Sequence, residues 1–245
     1  MMTPEPIALP ASIASLTYEQ VAKALDHALL RPELTEREMR AGCEIAREYG
    51  VASVCISPAN VPLAARILQG SDVHVGTVIG FPHGYAATGI KVLEARQAMN
   101  DGATELDMVL NIGWLRSGLD ERLRDDIQAV VAEARGKALV KVILENAYLS
   151  DDEKRRGCRI VEAAGADFVK TSTGFAPSGA TLDDLRLMRA SISSRVQIKA
   201  AGGVRALDAV IDILNVGVAR IGASASKAIL DEFRARKAEI GASAG

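Results

Sequence analysis

Short apolar, β-branched runs alternate along this chain with longer segments that have helical spacing. Seven runs are clearly strand-like, and an eighth, Ala24–Leu29, is weaker. Near-continuous apolar strands separated by helices are typical of a parallel sheet that is buried on both faces. The seven clear runs are Val51–Ser57, Val73–Gly80, Thr104–Asn111, Leu139–Glu145, Asp167–Thr173, Val196–Ala201 and Ala219–Ala223.

Six segments between these runs carry good helix formers at amphipathic spacing. Thr35 and Glu38 predict a capping box at the start of the first segment, and Gly50 predicts its end. Thr181 with Asp184 predicts a similar N-terminal cap. The six segments are Thr35–Tyr49, Thr88–Asn100, Asp120–Ala134, Asp151–Ala164, Thr181–Ser191 and Ala206–Asn215.

The regular alternation predicts an α/β fold, a single-domain (β/α)8 TIM barrel over residues 1–245 with an extra N-terminal helix. No Pro/Ser-rich linker divides the chain, and we expect residues 1–16 to form a loosely ordered extension. An open doubly wound sheet is the competing α/β arrangement. The absence of GxGxxG after the first strand and the presence of eight runs favour the barrel.

Composition narrows the classes of function. Hydrophobic residues make up 49% and charged residues 24%, as in a globular protein, and a net charge of −2 disfavours a nucleic-acid binder.

Three cysteines without CxxC spacing predict neither a disulfide framework nor a zinc knuckle, and indicate a reducing compartment. We expect a cytoplasmic protein, because no signal peptide or membrane-length apolar run occurs. The histidines lack metal-ligand spacing, so no metal is expected.

Three lysines, Lys141, Lys170 and Lys199, interrupt the apolar strands. Lys170 and Lys199 lie on consecutive strands shortly before the carboxyl ends, where barrel enzymes place their chemistry. Like charge and desolvation both lower the pKa of a lysine, and a neutral lysine attacks carbonyl carbons. The pattern therefore predicts a Schiff base on Lys170. The alternative is that each lysine extends its ammonium to solvent or pairs with a carboxylate.

Carboxylates also occur within the strands. Asp107 lies on the fourth run and Asp26 on the weak first run, where either could move protons during imine formation. The alternative is that they are structural partners of Lys141 or Lys199. Alternation along a strand would place Glu145 on the same face as Lys141. A structural pair between these two is a further alternative.

Small residues follow the last strands, where barrels often bind phosphate. Gly202 and Gly203 follow the seventh strand, and the segment Ile221–Ser226 follows the eighth and begins a helix. Their backbone N–H groups and the helix dipole favour an anion. Residues Ser172–Gly174, after the sixth strand, are predicted to line the same pocket.

Taken in order, the motifs from about residue 20 to residue 235 resemble the deoxyribose-phosphate aldolase family. The segments that carry the resemblance are Leu25-Asp-His-Ala-Leu-Leu, Val54-Cys-Ile-Ser-Pro, Gly76-Thr-Val-Ile-Gly-Phe-Pro-His-Gly, Glu105-Leu-Asp-Met-Val, Lys141-Val-Ile-Leu-Glu, Phe168-Val-Lys-Thr-Ser-Thr-Gly-Phe and Lys199-Ala-Ala-Gly-Gly-Val-Arg.

The resemblance implies a cofactor-independent class I aldolase that cleaves 2-deoxy-D-ribose 5-phosphate to acetaldehyde and D-glyceraldehyde 3-phosphate. It implies that Lys170 forms the Schiff base, that Lys199 lowers its pKa and joins proton transfer, and that Asp107 belongs to the proton relay. A homodimer or higher homo-oligomer is also expected. The implied substrate-binding positions are Asp26, Cys55, Lys141, Thr171, Gly174, Gly202, Gly203 and Ser224.

Two departures from the family pattern affect substrate preference. Ala28 stands where Thr is common, and the last loop reads Gly222-Ala-Ser-Ala-Ser in place of Gly-Thr-Ser-Ser. One alternative is therefore a related Schiff-base aldolase with a different aldehyde or sugar. Another is a non-catalytic barrel that binds sugar phosphates, which the two strand lysines and Asp107 disfavour.

Overall fold

Eight parallel strands close into a barrel in the computed structural model, which describes residues 9–243. Each strand pairs with the next along the chain, and β1 also pairs with β8. The predicted TIM barrel is therefore confirmed, including the weak first strand. The strands are β1 (Leu25–Leu29), β2 (Ser53–Ile56), β3 (His74–Ile79), β4 (Glu105–Val109), β5 (Leu139–Ile143), β6 (Phe168–Lys170), β7 (Gln197–Ala201) and β8 (Arg220–Ala223).

Helices connect the strands and surround the barrel, and a short extra helix precedes β1 as predicted. Two short 3₁₀ helices, Pro58–Asn60 and Asn146–Tyr148, follow β2 and β5. The α-helices are α1 (Tyr18–Ala22), α2 (Glu36–Tyr49), α3 (Val61–Leu68), α4 (Thr88–Asn100), α5 (Ile112–Arg116), α6 (Asp120–Ala134), α7 (Asp151–Ala163), α8 (Leu182–Arg189), α9 (Leu207–Leu214) and α10 (Ser226–Ser243).

Local capping signals define the ends of several helices. The Thr35 hydroxyl accepts a hydrogen bond from the Glu38 N–H at 3.3 Å, and Gly50 ends α2 in the left-handed region. Thr181 caps α8 through the Asp184 N–H at 3.1 Å. Helix α3 was not among the predicted segments. Pro62 lies in its first turn, where the missing N–H costs no helical hydrogen bond.

The main hydrophobic core lies between the strands and the helices. On β4, Leu106 and Met108 belong to this core, whereas Glu105 and Asp107 alternate with them along the strand. Since successive side chains on a strand point to opposite faces, the two carboxylates point into the barrel. The interior of this barrel is therefore partly charged.

Part of the predicted N-terminal extension is packed against the barrel. Ala11, Ile13 and Leu16 are buried, and the Ala11 N–H donates to the side chain of Asn215 at 2.7 Å. The ammonium group of Lys237 donates to the Leu16 carbonyl at 2.9 Å. The expectation of loose order therefore does not fit residues 11–16, while residues 1–8 lie outside the described part of the chain.

Within residues 9–243, none of the helices is both long enough and apolar enough to cross a membrane.

Candidate active site

A cluster of seven charged side chains fills the interior of the barrel. All seven are buried and come from six of the eight strands, so they are distant in sequence and adjacent in space. We call them the interior charge network: Asp26, Glu105, Asp107, Lys141, Lys170, Lys199 and Arg220.

The register of the strands brings this network together. Lys170 is directly opposite Lys199 on the β6–β7 pair, and Asp107 is opposite Lys141 on the β4–β5 pair. Gly222 on β8 lies beside Lys199: a Cβ atom there would be in ordinary contact with Cε of Lys199 at 3.5 Å and tight against Cβ of Ala201 at 3.2 Å.

Asp107 is the point at which the two predicted catalytic lysines meet. Its Oδ2 accepts hydrogen bonds from Nζ of Lys170 at 2.6 Å and from Nζ of Lys199 at 2.7 Å. Burial raises the pKa of this carboxyl, but Lys141, Lys170 and Lys199 outweigh burial and bring the pKa well below its usual value. Asp107 is therefore an anion that accepts hydrogen bonds from both neighbouring lysines.

Asp26 holds a second group of cations. Its Oδ2 lies 2.5 Å from Nζ of Lys199 and 2.9 Å from Nζ of Lys141, and its Oδ1 accepts a hydrogen bond from Arg220. Burial opposes the charge of Lys199, yet Asp107 and Asp26 outweigh burial and raise its pKa well above the ordinary value. Burial and like charge alone would have lowered this pKa, so the carboxylates decide the outcome.

The alternative of a structural pair between Lys141 and Glu145 does not hold. Nζ of Lys141 lies 2.5 Å from Oε2 of Glu105 and 2.9 Å from Asp26, and it points into the interior charge network. Glu145 follows the end of β5 and has φ 59°, so the alternation of the strand no longer holds there. Its carboxylate contacts Thr173 on the next loop.

Three glycines predicted for phosphate binding lie in loops at the carboxyl ends of the strands. Gly174, Gly202 and Gly203 have φ values of 91°, 88° and 84°, a region that favours glycine. Gly179, which the sequence did not single out, packs directly on Gly202, since a Cβ atom on Gly179 would lie 2.2 Å from its carbonyl oxygen. Ser224 is exposed just before α10.

Two further predicted positions are fully enclosed. The Cys55 Sγ lies 3.9 Å from Asp107 Oδ2, and burial raises the pKa of this thiol to about 11. The Thr171 hydroxyl donates to the Ala201 carbonyl at 3.1 Å and accepts from the Ala201 N–H at 3.0 Å. These contacts join β6 to β7. Direct contact of either residue with substrate remains a prediction.

Glu105 and Arg220 belong to the network but were not among the predicted site residues. Nη2 of Arg220 lies 2.7 Å from Oε1 of Glu105, and both residues lie inside predicted strands. The signal that identified the strand lysines, a charge within an apolar run, applies equally to these two residues. Extending that criterion from lysine to every charged residue would have found them.

The network predicts acid sensitivity. Nearby cations hold the pKa values of Asp26, Glu105 and Asp107 below their ordinary values, against the opposing effect of burial. The unfolded chain therefore binds more protons, and the stabilisation is complete above the unfolded pKa and lost on acidification. We expect the free energy of unfolding, from urea titrations, to fall as the pH drops below about 4. A free energy unchanged between neutral pH and pH 3 would contradict this.

Comparison with curated proteins finds close relatives over most of the chain. Deoxyribose-phosphate aldolase of Clostridium kluyveri is 47% identical over 214 residues, which cover 87% of this chain and 98% of the relative. The protein of that name from Caldanaerobacter subterraneus is 49% identical over 216 residues, which cover 87% and 94%. The predicted family resemblance is confirmed.

Solved structures agree with these sequence relatives. A putative deoxyribose-phosphate aldolase from Coccidioides immitis superposes with a TM-score of 0.87 at 40% identity, covering 94% of this chain and 91% of that one. The tetrameric deoxyribose phosphate aldolase of Aeropyrum pernix gives a TM-score of 0.82 at 29% identity, covering 89% and 92%. Residues 20–245 match the DeoC/LacD family aldolases. The fold, the interior lysines and these similarities lead to one conclusion: this chain belongs to the DeoC/LacD aldolase family.

Proposed function

We propose that this protein is a class I aldolase that reversibly cleaves 2-deoxy-D-ribose 5-phosphate to acetaldehyde and D-glyceraldehyde 3-phosphate. The observation that carries the proposal is the contact of Lys170 and Lys199 with the same oxygen of Asp107, at 2.6 and 2.7 Å, inside the barrel. The relatives named deoxyribose-phosphate aldolase support this choice of substrate.

The charge balance of the network favours Lys170 as the nucleophile. Three carboxylates of the network form ion pairs with its four basic groups. Lys199 and Lys141 each contact at least two carboxylates, whereas Lys170 contacts Asp107 alone. Lys170 is therefore the amine of the network with the fewest ion pairs to break when its nitrogen bonds to a carbonyl carbon.

The chemistry begins at the aldehyde carbon of the open-chain sugar. Nζ of Lys170 adds to C1, and the resulting carbinolamine loses water to give a protonated imine. A base then removes the proton of the C3 hydroxyl, the C2–C3 bond breaks, and its electron pair moves toward the imine nitrogen. This step releases D-glyceraldehyde 3-phosphate and leaves an enamine. Protonation of C2 and addition of water then release acetaldehyde and restore Lys170.

Asp107 and Lys199 can supply the proton transfers of this cycle. Asp107 is ionised and lies 2.6 Å from the nitrogen that must lose and regain protons. Lys199 remains an ammonium and donates a hydrogen bond to the same Asp107 oxygen, so it stabilises the charge of Asp107 beside Lys170. Asp107 lies within hydrogen-bond reach of both amines, which is the geometric requirement for a group that moves protons at Lys170.

We assign the phosphate to the loops that follow β6, β7 and β8. Gly174, Gly202 and Gly203 provide backbone without side chains, and α10 begins at Ser226, so its N-terminal dipole favours an anion. The exposed side chain of Ser224 supplies a further hydroxyl in the same loop region.

Borohydride reduction in the presence of 2-deoxyribose 5-phosphate tests the proposed mechanism. We expect reduction of the imine to leave a stable secondary amine, located by peptide mass mapping on Lys170. An adduct on Lys199 would retain the aldolase and reverse the roles of the two lysines. Folded protein without an adduct on either lysine would overturn the Schiff-base mechanism and favour a non-catalytic sugar-phosphate-binding barrel.

A second candidate is a related Schiff-base aldolase that acts on a different aldehyde or sugar. The altered loop after β8 favours it, because the Ser226 hydroxyl is buried and donates to the Ala223 carbonyl at 3.1 Å. Ser224 is then the exposed hydroxyl in this loop. Turnover of 2-deoxyribose that exceeds turnover of its 5-phosphate would favour this candidate.

We further propose a cytoplasmic enzyme that assembles as a homo-oligomer. The tetrameric assembly of the Aeropyrum pernix relative supports assembly. Sedimentation analysis of the purified protein would test it, and a monomer at micromolar concentration would contradict it.

A further inference from the structure

Glu145 lies shortly after β5, in a backbone conformation that residues other than glycine rarely adopt. Its φ is 59° and its ψ is 64°. Among residues 9–243, it is the only residue other than glycine whose φ is positive. The turn it makes lets the Leu144 N–H donate to the Lys170 carbonyl at 2.9 Å and the Asn146 N–H donate to the Thr171 carbonyl at 3.0 Å. The strained residue thus holds the chain beside the backbone of Lys170. Such strain persists where the surrounding structure enforces it, often at functional sites.

The side chain of Glu145 is buried without an ion pair among the described residues. It is 2% exposed, and both of its oxygens accept hydrogen bonds from Thr173, one from the N–H at 3.2 Å and one from the hydroxyl. Burial raises the pKa of this carboxyl. A buried carboxylate is costly unless its hydrogen bonds are satisfied, so Glu145 and Thr173 depend on each other. We call this contact the Glu145–Thr173 clasp.

The clasp extends into the loop after Lys170. The Thr173 hydroxyl oxygen accepts a hydrogen bond from the Phe175 N–H at 3.0 Å, and Gly174 lies between them with φ 91°. The Phe175 ring then packs edge-to-face against Phe81 of the loop after β3, with centroids 5.5 Å apart. The conformation of residues 173–175 therefore depends on the carboxylate of Glu145.

We infer that Glu145 is a positioning residue that fixes the backbone around Gly174 so that the loop binds the phosphate group of the substrate. This inference rests on the proposed function. Both Glu145 oxygens are occupied by Thr173, so the carboxylate orders the loop and does not contact the anion. Loss of the clasp should weaken binding of the phosphorylated end and leave the reacting lysine in place, because Lys170 keeps its own contact with Asp107.

Steady-state kinetics with 2-deoxyribose 5-phosphate and with phosphate-free 2-deoxyribose test the inference. Glu145→Gln preserves shape but cannot accept both hydrogen bonds, and Thr173→Val removes the hydroxyl donor. For each variant we expect KM for the phosphorylated sugar to rise by about tenfold to a hundredfold, the effect of losing a charged hydrogen bond. We expect kcat/KM for the phosphate-free sugar to change less than KM for the phosphorylated sugar, most clearly in Thr173→Val, which keeps the Glu145 carboxylate that acts on Lys170.

Thr173→Ser is the matched control because it keeps the hydroxyl, and we expect it to retain the wild-type KM. The double variant with Glu145→Gln and Thr173→Val should be no worse than either single change, since both remove the same contact. Parallel losses on both sugars with a lower Tm would show a purely structural role and overturn the inference. Unchanged KM for the phosphorylated sugar would also overturn it.

Borohydride trapping of the same proteins distinguishes failure of the role of Glu145 from failure of the proposed function. A wild-type adduct on Lys170, together with an unaltered phosphate preference in the clasp variants, would refute the role of Glu145 alone. A wild-type protein that forms no adduct would refute the proposed function itself.

Discussion

Replacing Lys170 by Met is expected to abolish aldol cleavage, lowering kcat by about four orders of magnitude or more. The substitution keeps an unbranched chain of similar length and removes the nitrogen that must bond to the aldehyde carbon. No neighbouring amine takes its place, because the Lys199 ammonium is held by Asp107 and Asp26. The measurement is coupled detection of D-glyceraldehyde 3-phosphate, together with loss of the borohydride adduct.

Lys137→Met is the control for this prediction. The Lys137 side chain is 62% exposed and lies outside the barrel interior, so its replacement should leave cleavage unchanged. Circular dichroism should show that Lys170→Met remains folded, since removing the fourth basic group leaves three cations for three carboxylates. A folded Lys170→Met protein with activity close to wild type would contradict the assignment of the nucleophile.

Replacing Asp26 by Asn is expected to lower the free energy of unfolding by about 3–5 kcal/mol, as for other broken buried ion pairs. Asp26 contacts Lys141, Lys199 and Arg220, and its side chain has no solvent exposure. The amide keeps the shape of the carboxylate but leaves these three cations with one fewer negative charge. Urea unfolding at neutral pH would measure the loss.

Asp72→Asn is the matched control on the surface. Asp72 lies 2.7 Å from Lys23, but its side chain is 74% exposed. Solvent screens such pairs, so we expect this change to cost less than about 1 kcal/mol. Equal effects of the two substitutions would contradict a special contribution from the interior charge network.

The sequence was sufficient to predict the barrel because every strand and most of the longer helices carry their own local signal. Alternating apolar runs, the Thr35 cap and Gly50 are short-range features, and the structure reproduces them. Helix α3 was not predicted, although Pro62 in its first turn is compatible with a helix start. Residues 11–16 were missed because their burial depends on partners such as Asn215, about 200 positions away.

The candidate site was predictable in its residue types but not in its pairings. Side-chain alternation along a strand would place Lys141 and Glu145 on the same face. The positive φ of Glu145 ends that alternation, so the two side chains point to different partners. Which carboxylate meets which cation depends on the register of the closed barrel, and no local pattern specifies that register. The high pKa of Lys199 follows from those pairings, so it too could not be read from the sequence.

The interior charge network also constrains the order in which this protein can fold. Asp26, Glu105 and Asp107 lie in the first half of the chain, whereas Lys170, Lys199 and Arg220 come later, with 194 positions separating Asp26 from Arg220. A nascent chain that ends before β6 would hold these three acids with Lys141 as the one network cation available to them. Such a partial barrel cannot bury its acidic interior without a large desolvation cost. Closure should therefore be cooperative, with the last strands supplying the cations that make the earlier strands stable.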